Sequence, residues 1–252
     1  MKMEFLSRNF FNTSSVVTVN TGSVSSLFDR KSTLFTATLA TTTATTFTAD
    51  FVISQDINRI ALQNINFKNF KVVDNGGTPL TISGADTTSA AWTGNSATSL
   101  YLNFNTLTAA TITLIVSSNT AASLSHTIEE IWFCELLHQL TDNPPVEGYK
   151  VKNARKEFVH ETADGGTISY ILNDYFTSEL ELSYISDADR TTLRSVYDQN
   201  DAITFTPFGT GSSWDNQIYE VLWIGDFTFN QRAGNDDSLG FNGTISLRET
   251  AK

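Results

Sequence analysis

A chain of 252 residues with 40% hydrophobic content is long enough for one large β domain or two ordinary ones, which excludes disorder as its main state. Its formal charge is −11 with no run of Lys and Arg, so no phosphate-neutralising surface is advertised and specific nucleic-acid binding is not expected. One cysteine forbids an internal disulfide, and the absence of an apolar run of about 18 residues argues against membrane insertion.

In chain order, the opening MKMEFLSRNFF lacks the apolar segment of an export signal, so a soluble chain is expected. Short β patterns follow at residues 15–20, 32–39, 45–53, 57–63, 67–73, 99–104, 111–116 and 126–137, with Gly, Asn, Asp and Thr between them, which predicts an all-β sandwich. Residues 36–48 are dense in Thr, yet Leu39 and Phe47 interrupt them, and two strands and a turn are expected there. Residues 74–79 and 83–99 are the longest turn-rich stretches. Trp92 lies in the second, either as a binding platform or, since aromatic residues are mostly buried, tucked against the sandwich edge. Cys134, inside the apolar run 131–137, is expected to pack as a small hydrophobe in a protein made in a reducing compartment.

SVSSLFDRKSTLFTATL followed by TFTADFVISQDINRIALQNINFKNFKVV resembles the discoidin, or coagulation factor 5/8 type C, jelly roll, over roughly residues 14–140. The turn at Leu27, Phe28 and Asp29, the Asn58-Arg59 turn and the segment 64–73 carry the resemblance. It implies a galactose-binding-like jelly roll that meets sugars through loops at one end, with Trp92 as the candidate platform. The disulfide usual in that family is absent.

Pro144 and Pro145 deny two backbone donors and hold the chain extended, which places a boundary between residues 1–143 and 144–252. The first 144 residues hold 7 Lys and Arg against 10 Asp and Glu, and the remainder 9 against 17, so the second part is the acidic one. Residues 149–161 and 167–184 read as a hairpin around Ala163-Asp164-Gly165-Gly166, whose second arm is longer than an ordinary strand and suits a reach to a neighbour. Then comes the one convincing helix: Ser186 to cap, Asp187 and Asp189 in the first turn, and Leu193, Val196 and Tyr197 at helical spacing. Strands are expected at 202–207, 218–229 and 241–249, with a polar loop at 230–240. The fold class is therefore all-β with one short helix: an N-terminal β-sandwich, then a second β unit that carries the helix.

The charged hairpin, one helix, the PF turn, the VLWIGDF strand and the closing TISLRE strand (Thr244 to Glu249) resemble the tail-tube-like fold of long-tailed phage tail proteins, the distal tail protein above all, over roughly residues 149–252. The resemblance implies a virion protein assembled in the host cytoplasm as a homo-oligomer, a hexameric ring. Its partners would be the tail tube protein and the hub or tip proteins. An acidic lumen in such a ring would repel DNA phosphates.

Catalytic and metal chemistry finds little purchase. His126, His138 and His160 are dispersed, Cys134 precedes His138 by four residues, and no C-x-x-C or H-E-x-x-H spacing occurs, so no metal or other cofactor is expected. Glu129 with Glu130 and Glu179 with Glu181 are paired carboxylates. The second pair shares a strand face at glycosidase spacing, though Leu180 and Leu182 opposite suit a solvated outer face. No nucleophile elbow or phosphate loop is present, and Asn235, Asp236 and Asp237 lack a calcium-loop frame. The expectation is a non-enzymatic structural protein of a phage tail-tip ring. A carbohydrate-binding accessory protein that meets a host surface glycan is the alternative, and a polysaccharide-degrading enzyme the third reading.

Overall fold

The computed structural model describes residues 2–11, 15–19, 27, 35–38, 45–74, 77, 91–119, 125–207, 217–231 and 240–250. The first ten strands are β1 (Glu4–Leu6), β2 (Ser15–Val19), β3 (Phe35–Thr38), β4 (Thr45–Gln63), β5 (Phe67–Asp74), β6 (Ala91–Trp92), β7 (Leu100–Asn119), β8 (Ser125–Ile128), β9 (Glu130–Cys134) and β10 (Leu136–Gln139). After a 3-10 turn at Val146–Gly148 come β11 (Tyr149–Glu161), β12 (Thr167–Ile185), α1 (Asp187–Asp198), β13 (Ile203–Thr206), β14 (Tyr219–Ile224), β15 (Phe229–Gln231) and β16 (Phe241–Glu249). The fold is all-β with one helix among the described residues.

One sheet runs β2-β4-β7-β5-β6 with β9 added on β4, and β3 pairs with β8 separately. Their shared core holds Phe11, Leu27, Phe47, Ile60, Phe67, Phe70, Leu114, Ile128 and Phe133. Residues 45–53 and 57–63 form one 19-residue strand, because the polar stretch Ser54, Gln55 and Asp56 belongs to a ladder that shifts register before Gln55 and after Ile57 without ending. In the same way, β7 joins the two strands expected at 99–104 and 111–116. The run 126–137 divides instead: β8 pairs β3, β9 pairs β4 and β10 pairs β1, so one apolar stretch serves three ladders.

The second sheet runs β10-β1-β13-β14-β16-β12-β11, with β15 on β16. Leu193 and Val196 of α1 share one core with Met3, Phe5, Leu180, Leu182, Ile203, Phe205, Val221, Ile245 and Leu247. Ser186 Oγ accepts the Asp189 N–H at 3.0 Å, satisfying an orphan donor of the first turn, and Arg190–Asp187 and Arg194–Asp198 pairs line the outer side. The helix thus starts where the Ser-x-x-Asp pattern places it.

The division at Pro144 does not describe this sheet. β1 and β10, both before the prolines, lie side by side in it and pair with each other, and β1 also pairs β13. A three-residue strand has no period to read, and Phe5 finds its place only by meeting Phe205 across the ladder at 5.4 Å. Residues of the first sandwich therefore leave from and return to the second sheet.

Where the two sheets meet, strands lose their wet face. In β9 every residue is buried: Ile131 and Phe133 enter the first core, while Trp132 and Cys134 join Leu6, Ala61 and Ile218 in a small cluster at the junction. The continuous apolar run IWFC follows from burial on both sides. Burial pushes the Cys134 thiol up to about 12, so Cys134 is an inert packing residue.

Candidate functional site

Glu4 of β1 is fully buried at this junction. Arg59 of β4 donates to it through Nε and Nη2, each at 3.1 Å, Tyr101 of β7 donates its hydroxyl, and Gln139 of β10 donates at 2.7 Å. Burial, and then the Glu4 charge, hold the Tyr101 phenol well above its usual range, so it stays a donor. Four donor bonds saturate the carboxylate, which makes this group a clamp between the sheets with no lone pair left over for chemistry. Arg59, expected in a turn, is in fact an interior residue.

The histidines and carboxylates weighed for catalysis or metal binding lie apart. His126 is buried with Nδ1 2.6 Å from Thr45 Oγ1, His138 lies in β10 and His160 is exposed on β11. Among the described residues no three His, Cys, Asp or Glu side chains gather as a metal site. Glu179 and Glu181 are half-exposed with Lys150 against both, while Leu180 and Leu182 enter the core, the pattern of a solvated strand face. Glu130 accepts the Trp132 indole N–H at 3.0 Å in the interior, whereas Glu129 turns outward. Asn235, Asp236, Asp237, Phe28 and Asp29 lie outside the described residues, and no described helix is long and apolar enough to cross a membrane.

Trp92 pairs with Phe70 across the β5–β6 ladder, their rings stacked 6.0 Å apart at 13°, so Trp92 is half-buried against the first core. The loop after it is fixed by Asn95, whose buried carboxamide donates to Phe67 O and Ala97 O and accepts from Ala97 N–H. Beyond that loop lies a depression of about 300 Å³ lined by Gln63, Asn64, Thr98, Ser99 and Glu129, in which Asn64 donates to Glu129 at 3.3 Å. Every lining side chain is polar and none is cationic, which suits hydrogen bonding to a neutral polar ligand. In the sequence Glu129 stands only as half of a carboxylate pair, and nothing there joins it to Gln63, Asn64, Thr98 and Ser99, because the five come from three separate places in the chain.

The most unusual surface is the hairpin β11–β12. Its ladder runs from Tyr149↔Leu180 to Glu161↔Thr167, and its turn closes with Gly165 at φ +83° and Thr162 N–H on Gly166 O. At its base β12 is held by β16, but from Arg155 onward the described residues of both strands are exposed almost throughout. Phe158 is 58% and Tyr170 56% exposed, and they face each other in the ladder. His160 and Ile168 continue that face, while Val159 and Glu157 lie on the other. Among the described strands none pairs with the outer side of β11, so a projecting two-stranded arm ends in an open, 13-residue edge.

No family model matches the chain, and no curated protein matches it. Among solved structures, chitosan-binding module 1 derived from a chitosanase/glucanase of Paenibacillus sp. IK-5 is similar at 14% identity, over 50% of this chain and 97% of that one, with a TM-score of 0.40. The family 32 carbohydrate-binding module of Streptococcus pneumoniae EndoD matches at 12% identity over 50% and 99% of the two chains, TM-score 0.40. A putative alpha-L-fucosidase from Bacteroides thetaiotaomicron matches at 11% over 51% and 28%, TM-score 0.41. Identities this low and TM-scores below 0.5 leave the ligands of those proteins with those proteins.

Proposed function

We propose that this protein is a self-associating structural component of a virion: a ring at the tip of a phage tail, joining the tail tube to the hub or baseplate. The observation that carries the reading is the projecting arm. An isolated two-stranded hairpin is marginal in water, and one that displays Phe158, Tyr170, Ile168 and Val159 has the composition of a segment that is covered in its working state. A rotation that closes would turn such an arm-to-body contact into a ring. The helix-bearing sheet below the arm supplies the body, and the resemblance of residues 149–252 to tail-tube-like proteins supplies the virion context.

Light scattering on the eluted protein, with negative-stain images, tests this. A closed ring of fixed copy number supports it, and a monomer at high concentration with no ring overturns it.

A second reading, recognition of a surface glycan by the first sandwich, is favoured by the polar depression at Gln63, Asn64, Thr98, Ser99 and Glu129. A glycan array probed with the wild type, Trp92→Ala and Glu129→Ala separates the stacked indole from the depression as the binding element. No binding by the wild type leaves the structural role alone.

A further inference from the structure

The arm has a sign as well as a shape. Strand β11 carries four Lys and Arg (Lys150, Lys152, Arg155, Lys156) against Glu157 and Glu161, while the rest of the chain carries 12 against 25. Because directly paired residues share a face, the outer face of the arm holds Lys152, Lys156, Phe158, His160, Ile168 and Tyr170 together. Lys150, at the base, is engaged by Glu181, and Arg155, on the other face, by Asp174. The outer face is thus cationic and aromatic, on a molecule that is acidic elsewhere.

In its centred register, β11 does not pair with its own copy without conflict. Antiparallel pairing of β11 with its own copy about its centre sets Arg155 beside Arg155, and stacking of two outer faces brings their lysines together. Like charges directly opposite one another destabilise a ladder. A cationic face on a chain that is acidic elsewhere is best matched in charge by a surface that differs from it.

We propose that the outer face of the arm docks head-to-tail on the acidic, exposed stretch of β4 in a second copy, around Asp50, Ile53 and Asp56; this rests on the self-association reading above. Asp50 and Asp56 are exposed and lie on either side of the first register shift of β4, their carboxylates bonded only by the neutral hydroxyls of Thr111 and Thr108 among the partners identified. Between them Ile53 is 69% exposed, the most exposed large hydrophobic residue among those described. Glu135 lies close enough for the Asp56 charge to help burial raise its carboxyl, so the negative character extends beyond β4. Opposite charge surrounds an apolar contact on each side, which gives register as well as attraction.

The test uses full-length chains and charge exchange. Lys152→Glu with Lys156→Glu, or Asp50→Lys with Asp56→Lys, is expected to weaken self-association at least tenfold in sedimentation analysis. The chain that carries all four changes is expected to associate again, as is a mixture of the two double variants. All four positions are exposed, so melting temperatures should stay close to the wild type. Unchanged association of either double variant, or failure of the four-fold variant to recover, overturns the docking pair while the ring reading stands. A monomeric wild type overturns both. Fluorescence anisotropy with a 20-nucleotide single-stranded DNA covers the remaining occupant: tight binding lost in the lysine variant would reassign the arm to nucleic acid and overturn the proposal, and no binding supports it.

Discussion

The two edges of the helix-bearing sheet are finished in opposite ways. At the β10 edge, the Leu136 N–H is taken by Asn58 Oδ1 at 2.7 Å, α1 sits over His138, and β1 next to it is locked through Glu4 to Arg59 and Tyr101. At the β11 edge the backbone is open and the strand runs past the end of its own core. Among the described strands, only the β11 side of this sheet leaves a long row of backbone groups unpaired by a neighbouring strand. The first edge is tied down by bonds within the chain, and the second is the edge that the proposed self-association would use.

Breaking the closed edge should have the largest effect. Arg59→Ala leaves the Glu4 carboxylate buried without its charge partner and is expected to cost about 3–5 kcal/mol in urea unfolding. Next, Ser186→Ala removes the cap that holds the first turn of α1 near β10 and should cost about 1 kcal/mol by the same measurement.

The same edge should sense acid. Burial holds His138 below its ordinary value, the nearby Asp189 at 3.4 Å pulling back only in part, so the folded protein keeps it neutral. As pH falls below about 6.5 the unfolded chain takes up a proton before the folded one does, and stability that is complete above that pH is lost toward the lower folded value. His126, lowered by burial in the other sandwich, adds to the slope. Melting curves between pH 7.5 and 5 should show the fall, and His138→Gln should flatten part of it.

At the open edge the effect on folding should be smallest. Phe158→Ser is expected to change the unfolding free energy by no more than about 0.5 kcal/mol, because its ring is exposed, while self-association drops. A loss of several kcal/mol would mean that the arm belongs to the body's own core, and the contrast between the edges would fail.

Some of this was legible before any coordinates. Ser186, Asp187, Asp189 and the Leu193-Val196 spacing mark where the helix starts and which face it buries, and Ala163 to Gly166 marks the hairpin turn, because a cap and a tight turn are local chemistry. The arm's strands were legible for the same reason. The first sandwich was legible as alternation, although the bends in β4 and β7 read as turns, since a bulge and a turn use the same polar residues. Trp92 could be read as loop platform or edge packing from sequence, and Phe70 beneath it is a partner 22 positions away.

What the sequence determined by itself were the features set by neighbours in the chain: strand alternation, one capped helix, one hairpin and an acidic balance. Only the tertiary structure decided that Glu4–Leu6 belongs beside Leu136–Gln139, that Arg59 and Glu4 meet in the interior, and that one end of the hairpin has nothing to rest on among the described residues. Those outcomes depend on pairings between residues dozens of positions apart, whose free energy exists only once both surfaces have left water.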